Sequence, residues 1–110
     1  MARIVKGDVV VIPFPFSDLS LSKRRPAVVL AELEGNDRIL CQITSRRVLD
    51  RYAVTLDDSD FESGNLRVRS NVRLNRLFTA DAKIVLYTVG WLKPAKMQVI
   101  IERVVQILTK

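Results

Sequence analysis

Three groups of basic and polar side chains in this 110-residue chain lie at a predicted loop-to-strand junction, at the open end of a predicted strand and on the polar face of a later strand, and such side chains can bind phosphate oxygens. The three groups are Lys23, Arg24 and Arg25; Gln42 and Thr44, followed by Ser45 and Arg46; and Arg73 with Asn75. A guanidinium holds two phosphate oxygens at once, and a hydroxyl both donates and accepts hydrogen bonds. Together the three groups predict a basic, hydroxyl-bearing surface on a sheet.

Taken singly, each group also has an ordinary structural interpretation. Arg25 is then a surface cation and Thr44 a strand residue with good β propensity. Arg73 in that interpretation forms a salt bridge with Asp57 or Asp60. These interpretations stay open on the residues alone.

The composition excludes much familiar catalytic chemistry. The chain has no histidine, so it lacks an imidazole base, a Ser-His or Cys-His nucleophile pair and histidine metal ligands. Its one cysteine, Cys41, excludes an internal disulfide and a multi-cysteine zinc site. The net charge of +6, with arginine as 12 of the 18 basic residues, favours nucleic acid or an acidic protein as partner.

Several short strands and one helix must position these side chains. Alternation and turn residues predict strands over residues 8–14, 27–33, 39–44, 52–56, 71–78 and 83–92. Pro26 is expected to mark the start of the second strand, residues 57–62 to form an acidic loop, and Gly90 to mark a bulge or a close approach. From Pro94, apolar residues recur at helical spacing up to Leu108, which predicts an amphipathic helix.

The third strand separates a core face from an open face. Because side chains alternate along a strand, Ile39, Cys41 and Ile43 are expected to face the core. Leu40, Gln42 and Thr44 are expected on the open face. Cys41 is therefore interpreted as a small core residue and not as a nucleophile.

These elements predict a mainly β fold, a small antiparallel β-barrel capped by a C-terminal amphipathic helix, in a single domain of residues 1–110. The strand at residues 83–92 is apolar on both faces, and with the helix stripe it predicts a homodimer. No stretch is long and apolar enough to span a membrane, and cysteine usage favours a cytoplasmic location.

Four segments of the chain resemble those of a known protein family. The segments that carry the resemblance, in order and spacing, are GDVV at 7–10, FPFSDL at 14–19, RPAVVL at 25–30 and ITS at 43–45. They resemble the MazF/PemK (Kid) toxins of bacterial toxin-antitoxin modules, over nearly the whole chain. The resemblance implies an SH3-like β-barrel homodimer that cleaves single-stranded RNA at short sequences without a metal or another cofactor. It also implies an acidic antitoxin protein as partner.

The resemblance assigns roles to particular residues. Arg25, directly before the proline of the RP motif, matches the catalytic arginine, and Thr44 matches the catalytic threonine. Arg73 matches an arginine of the Kid branch, whereas Asn75 stands where an acidic residue is usual, so the general base is left open. Asp18, on the loop before the second strand, is an alternative acid-base group.

Other residues are expected to hold the RNA around these two. The predicted RNA-binding residues are Lys23, Arg24, Gln42, Ser45, Arg46, Arg73 and Asn75. Phe14 or Phe16 is a candidate for stacking on a base, with core packing the favoured alternative. Trp91 is interpreted as a packing or dimer residue.

Two other function classes remain open from the sequence. CcdB-like toxins resemble this family in fold but bind DNA gyrase and cleave nothing, and a plain RNA-binding barrel would use the same basic surface. The pairing of Arg25 with Thr44 favours the enzyme, because a gyrase-binding protein has no need of it.

Overall fold

The computed structural model describes residues 3–14 and 23–110 of the chain. The strands are β1 (Asp8–Phe14), β2 (Lys23–Glu32), β3 (Asp37–Thr44), β4 (Ala53–Leu56), β5 (Phe61–Gly64), β6 (Ser70–Asp81) and β7 (Tyr87–Leu92). One α-helix, α1 (Pro94–Leu108), follows them. Short 3-10 turns at Asp58–Asp60 and Ala82–Ile84 lie before β5 and β7.

All strand pairs are antiparallel, in the order β4-β6-β3-β2-β1-β7-β5. β4 and β5 form the two edges of the described sheet, which curls into a half-barrel. Mainly β architecture with a closing amphipathic helix is therefore confirmed.

Two apolar clusters cover the two faces of this sheet. The larger packs α1 against the strands through Met97, Ile100 and Val104, which recur every three or four residues. The smaller contains Val10, Ile12, Ala27, Val29 and Leu40. β1 and β2 are buried on both faces, as central strands are, so their sequences are almost continuously apolar.

Leu40, Gln42 and Thr44 were expected on an open face of β3, and the second cluster shows that this expectation is wrong for Leu40. Leu40 is 2% exposed and packs in this cluster, whereas Gln42 and Thr44 are half-buried. The reason is that Ile4, Phe14, Phe78 and Val85 cover the sheet at the Leu40 end of β3. The open part of that face is confined to the end near Thr44.

The predicted start of β2 at Pro26 was also wrong. Pro26 does not open the strand but lies inside it, opposite Val11 of β1. β3 pairs with β2 only from Ala27 onward, so Pro26 has no paired residue on β3. A residue without an N–H is tolerated there. As a result Lys23, Arg24 and Arg25 belong to the strand and are held by β1.

The predicted strand at residues 83–92 is shorter than expected. The Asp81 carboxylate accepts a hydrogen bond from the Lys83 N–H at 2.8 Å and starts a 3-10 turn, so β7 begins only at Tyr87. The predicted acidic loop similarly contains the turn Asp58–Asp60 and then β5, whose first residue, Phe61, is buried. Propensity favoured a loop there because acidic residues are poor strand formers.

The helix starts at Pro94 as predicted, but Leu108 is exposed in its last turn and does not extend the buried stripe. In the part of the chain that the structure describes, no helix is long and apolar enough to cross a membrane.

Gly90 marks a close approach, as its position in β7 suggested. It pairs with Gly64 of β5, and a Cβ on either residue would collide with the backbone of the other strand. Gly64 also has a φ of 80°, a value that favours glycine. This contact fixes where residues 65–69, the loop between β5 and β6, leave the sheet.

Candidate active site

A groove of about 730 Å³ lies where β2 begins and β3 ends. Arg25 and Thr44 both line it, so the structure brings together the two residues predicted to be catalytic. Arg24 and Ser45, which were predicted to bind RNA, line it as well. Pairing of β2 with β3 ends at Ala27 and Gln42, so the residues beyond this pair stand at the open end of the sheet.

The groove has an apolar floor and a cationic rim. The floor contains Val11 and Ile43, both buried, and the rim contains Arg24, Arg25 and Arg67, which are half-buried or exposed. Among the described residues that line it there is no carboxylate. The groove therefore suits a ligand that combines negative charge with flat apolar surface.

Thr44 is held by the turn that follows β3. Its Oγ1 accepts a hydrogen bond from the Arg46 N–H at 3.1 Å, and Asn71, which pairs with Thr44 across the sheet, donates from Nδ2 to the Arg46 carbonyl at 3.3 Å. A hydroxyl has one proton and two lone pairs, so the Thr44 proton is left to be donated to a ligand. The turn thus orients the hydroxyl for donation.

Arg25 is half-buried and its backbone pairs with Ile12 of the central strand β1. Within residues 3–14 and 23–110 no carboxylate lies within ion-pair distance of its guanidinium. Its charge is therefore not neutralised by a described residue. A strand-anchored cation without an ion-pair partner among the described residues is available to an anionic ligand.

Arg67 and Tyr87 are among the residues that line the groove but were not predicted as site residues. Arg67 lies in the loop after β5, and Tyr87 is the first residue of β7. The alternation of Arg67 and Arg69 after the Gly64-Asn65 turn was the signal in the sequence that could have pointed to this loop. For Tyr87 there was no such signal, because it lay in a segment interpreted as uniformly apolar.

Arg73 and Asn75 do not line this groove. The Arg73 guanidinium pairs with the Asp50 carboxylate at 3.3 Å, so the salt bridge exists but its partner is neither Asp57 nor Asp60. Its Nε is buried without a hydrogen-bond partner among the described residues. Asn75 is exposed.

Next to these residues the pairing of β6 with β3 is irregular. Ile43 pairs with Val72, yet Cys41 pairs with Leu77, so residues 73–76 have no partner on β3, while Arg73 still pairs with Ala53 of β4. Burial alternates from Ser70 to Leu74 and no further, so the regular pattern does not place Asn75. The contact of Arg73 and Asn75 with RNA stays a prediction, at a place outside the groove.

The other predicted residues lie around the groove or outside the described chain. Lys23 and Arg46 are exposed next to residues that line it, and Gln42 is half-buried in the ladder opposite Ala27. Asp18 and Phe16 fall outside the described residues. Phe14 packs edge-on against Phe78, with ring centroids 5.0 Å apart, in agreement with the packing interpretation.

Cys41 is a core residue, as predicted. It is fully buried, its Sγ donates to the Arg73 carbonyl at 2.7 Å, and burial raises the pKa of its thiol to about 12. A thiol with so high a pKa is not a nucleophile at neutral pH. In the described parts of the chain, no three Cys, Asp or Glu residues are grouped so as to hold a metal ion.

A second cavity, of about 940 Å³, lies between β7 and α1. Trp91, Met97 and Ile101 line it, and Trp91 is 48% exposed. Its lining is mostly apolar, and Asp8 and Glu102 face it with Arg3 and Lys6. This cavity is therefore less suited to a polyanion than the groove.

Comparisons with known structures find the same fold at low sequence identity. MazF from Deinococcus radiodurans matches with a TM-score of 0.76 at 19% identity, covering 100% of each chain. A mycobacterial endoribonuclease in complex with its cognate antitoxin matches with a TM-score of 0.74 at 16% identity, covering 94% of this chain and 93% of that one. The Mycobacterium tuberculosis toxin MazF-mt6 has a TM-score of 0.71 at 14% identity, covering 92% of this chain and 95% of that one.

A search of curated protein sequences found no match. A family model, however, matches residues 5–108, which include every described strand and the whole of α1. The resemblance seen in the GDVV, RPAVVL and ITS segments is confirmed by this match. The chain belongs to the family of PemK-like, MazF-like toxins of type II toxin-antitoxin systems.

Proposed function

We propose that this toxin is a metal-independent endoribonuclease that cuts single-stranded RNA at selected short sequences. One observation carries the proposal: Arg25 and Thr44 line a single groove whose described residues include three arginines and no carboxylate. Family membership and the likeness to toxins described as endoribonucleases support it.

The reaction needs no nucleophile from the protein. The ribose 2′-oxygen attacks the adjacent phosphorus and the bond to the 5′-oxygen breaks, which leaves a 2′,3′-cyclic phosphate and a 5′-hydroxyl. Arg25 would hold two phosphoryl oxygens and stabilise the extra negative charge of the phosphorane, and the Thr44 hydroxyl would donate to the same group. A guanidinium stays protonated, so it does not serve as the base that takes the 2′-proton. Asp18 stays a prediction for that role.

The partners follow from the same groove. An acidic antitoxin segment would cover the cationic rim and exclude RNA, and solved relatives are complexes of toxin with cognate antitoxin. We place the chain in the cytoplasm, where messenger RNA is reached directly. No step of the proposed chemistry requires a cofactor.

Replacing Thr44 by Val should lower the cleavage rate about 10-fold, because one neutral hydrogen-bond donor to the reacting phosphate is lost while the shape is kept. Thr44→Ser, which restores the hydroxyl, should recover most of the rate. Single-turnover cleavage of a short RNA measures both. Thr55→Val, at an exposed position of β4, is the matched control and should not change the rate. Wild-type activity in Thr44→Val would remove the hydroxyl from the mechanism.

RNA affinity should weaken steeply with salt. Each phosphate contact on a single strand contributes a slope of about −0.7 in log K against log salt, so three or four contacts give about −2 to −3. Titration of a labelled RNA at several salt concentrations measures the slope. Arg46→Ala should reduce its magnitude by less than about one unit and leave the cut sequence unchanged. An RNA affinity that does not change with salt concentration would contradict binding in this groove.

The toxin should be a homodimer at micromolar concentration. Trp91, Val105 and Leu108 are exposed on β7 and α1, and a second copy that covered them would remove this apolar surface from water. Light scattering gives the mass. Twice the chain mass of 12.5 kDa is expected, and a mass of one chain would refute the dimer.

The function itself is tested by incubating the purified protein with a long RNA in EDTA and mapping new 5′ ends by primer extension. Cuts at a recurring short sequence are expected. RNA that stays intact but bound would favour a plain RNA-binding barrel. RNA that is neither cut nor bound, together with inhibition of DNA gyrase, would favour the CcdB-like class.

A further inference from the structure

The wall of the groove on the β7 side carries residues to which no role has been assigned. Tyr87 of β7 pairs with Val11 of β1, and Val11 pairs with Pro26 of β2, so these three residues lie in one row across three strands. Arg25 is next to Pro26 in sequence. The groove thus extends from the residues of the proposed reaction to Tyr87.

Tyr87 offers an aromatic surface to this wall. It is 50% exposed and lines the groove together with Leu66 and Val89, which are partly buried. β5 ends at Gly64, opposite Gly90, so it does not extend along β7 as far as Tyr87. A half-exposed aromatic ring in a groove that is partly lined by apolar residues is a surface on which a single-stranded base stacks.

Arg67 supplies a cation on the same wall. Its φ of 66° lies in the left-handed region, unfavourable for a residue with a side chain, and the Asn65 side chain stabilises the turn by accepting from the Arg67 N–H at 3.0 Å. Arg67 lines the groove, whereas Arg69, two residues later in the same loop, does not. The loop therefore presents one of its two arginines to the ligand.

The spacing relates this wall to the reacting phosphate. Neighbouring strands lie about 4.8 Å apart, so the backbone of Tyr87 stands about 10 Å from that of Pro26. A base on Tyr87 therefore belongs to a nucleotide adjacent to the phosphate that Arg25 holds. An aromatic ring and a guanidinium in one groove match the base and the phosphate of one nucleotide.

We propose that Tyr87 and Arg67 form a nucleotide subsite, in which Tyr87 stacks on the base beside the scissile phosphate and Arg67 binds that nucleotide's phosphate. The subsite rests on the proposed ribonuclease function. It adds a place where the identity of a flanking base is sensed, because purines and pyrimidines differ in stacking area.

The base contact is tested with Tyr87→Ala, Tyr87→Phe and, as matched control, Leu86→Ala, which alters a neighbouring exposed residue outside the groove. Tyr87→Ala should lower kcat/KM about 10- to 100-fold, while Tyr87→Phe, which keeps the ring, should stay within about twofold of wild type. Leu86→Ala should match wild type. A Tyr87→Ala protein that keeps its fold, its oligomeric mass and wild-type kcat/KM would overturn the proposal.

Substrates with one abasic nucleotide sharpen the test. An abasic nucleotide beside the cut should lower the kcat/KM of wild type about as much as Tyr87→Ala does. The variant and the abasic substrate together should lower kcat/KM no more than either change alone. Fully additive losses would overturn stacking at that position. If the Tyr87→Ala variant folds poorly, the proposal is still tested, because the effect of the abasic nucleotide can be measured with wild type and Tyr87→Phe.

Arg67 is tested against Arg69. Arg67→Ala should weaken RNA binding and lower the salt slope by about 0.7, whereas Arg69→Ala should change neither; equal effects would overturn the role of Arg67. Binding is measured on an RNA that carries a single 2′-deoxy nucleotide at the cut and so cannot react. A protein that binds through Tyr87 and Arg67 but cuts nothing would refute the ribonuclease proposal alone, and the two failures are thereby distinguished.

Discussion

Arg25→Ala should reduce single-turnover cleavage by about 100-fold or more, the cost of removing one donor to transition-state charge in a preorganised site. The loss should appear in the rate of the bound complex and only weakly in affinity, because Arg24 and Arg67 line the same groove and still attract RNA. Rapid-quench measurement at saturating enzyme separates the two quantities.

Two variants show whether charge or geometry matters at this position. Arg25→Lys keeps the cation but loses the planar fork, so a rate between those of wild type and Arg25→Ala is expected. Arg103→Ala removes an exposed arginine of α1 that does not line the groove, and it should cleave at the wild-type rate. Circular dichroism and thermal melting should show an unchanged fold, since the Arg25 side chain belongs to neither apolar cluster. A folded Arg25→Ala protein with wild-type activity would show that another group stabilises the phosphorane.

The meeting of Arg25 with Thr44 was predictable from the sequence because both lie at strand ends marked by local signals. Proline after Arg25 and the polar residues after Thr44 indicate where β2 and β3 leave the ladder, and an antiparallel pair joined by the short turn at residues 33–36 brings these two ends together. The family motifs assigned roles to the same two positions. For Arg25 and Thr44, the local sequence signals and the strand pairing therefore predict the same place in the fold.

The β7-side wall of the groove depends on contacts that are not local in sequence. Arg67 reaches it because β5 pairs with β7 through the close approach of Gly64 and Gly90, and this pairing sets where the next loop runs. No residue periodicity within 65–69 encodes that pairing. Sequence reasoning therefore recovered one wall of the groove and missed the other.

Arg73 shows that a correct alternation pattern does not by itself place a side chain. Alternation along β6 is correct from Ser70 to Leu74, where every second residue is buried, and Arg73 pairs with Ala53 of β4. Its guanidinium nevertheless forms a salt bridge with Asp50, just before β4, and does not line the groove. No local pattern in the sequence encodes that contact, so only the structure separates Arg73 from Thr44.

An RNA with a single 2′-deoxy nucleotide on the 5′ side of the cut bond should not be cleaved at that bond. The proposed reaction forms its new bond from the 2′-oxygen, so the cyclic phosphate cannot form when that oxygen is missing. Binding should weaken by no more than about tenfold, the value of one hydrogen bond.

The measurement compares all-ribose and single-deoxy versions of one oligonucleotide in EDTA, with the products resolved by gel and mass spectrometry. The all-ribose substrate should yield a 2′,3′-cyclic phosphate and a 5′-hydroxyl end. A deoxy nucleotide placed three positions away should leave cleavage unchanged, which controls for general effects of the substitution on RNA structure. Cleavage at the deoxy position would require another nucleophile, a water or a hydroxyl of the groove, and either one needs a base to take its proton. Because the described groove holds cations and hydroxyls without a carboxylate, that result would mean that the base lies outside the described lining of the groove.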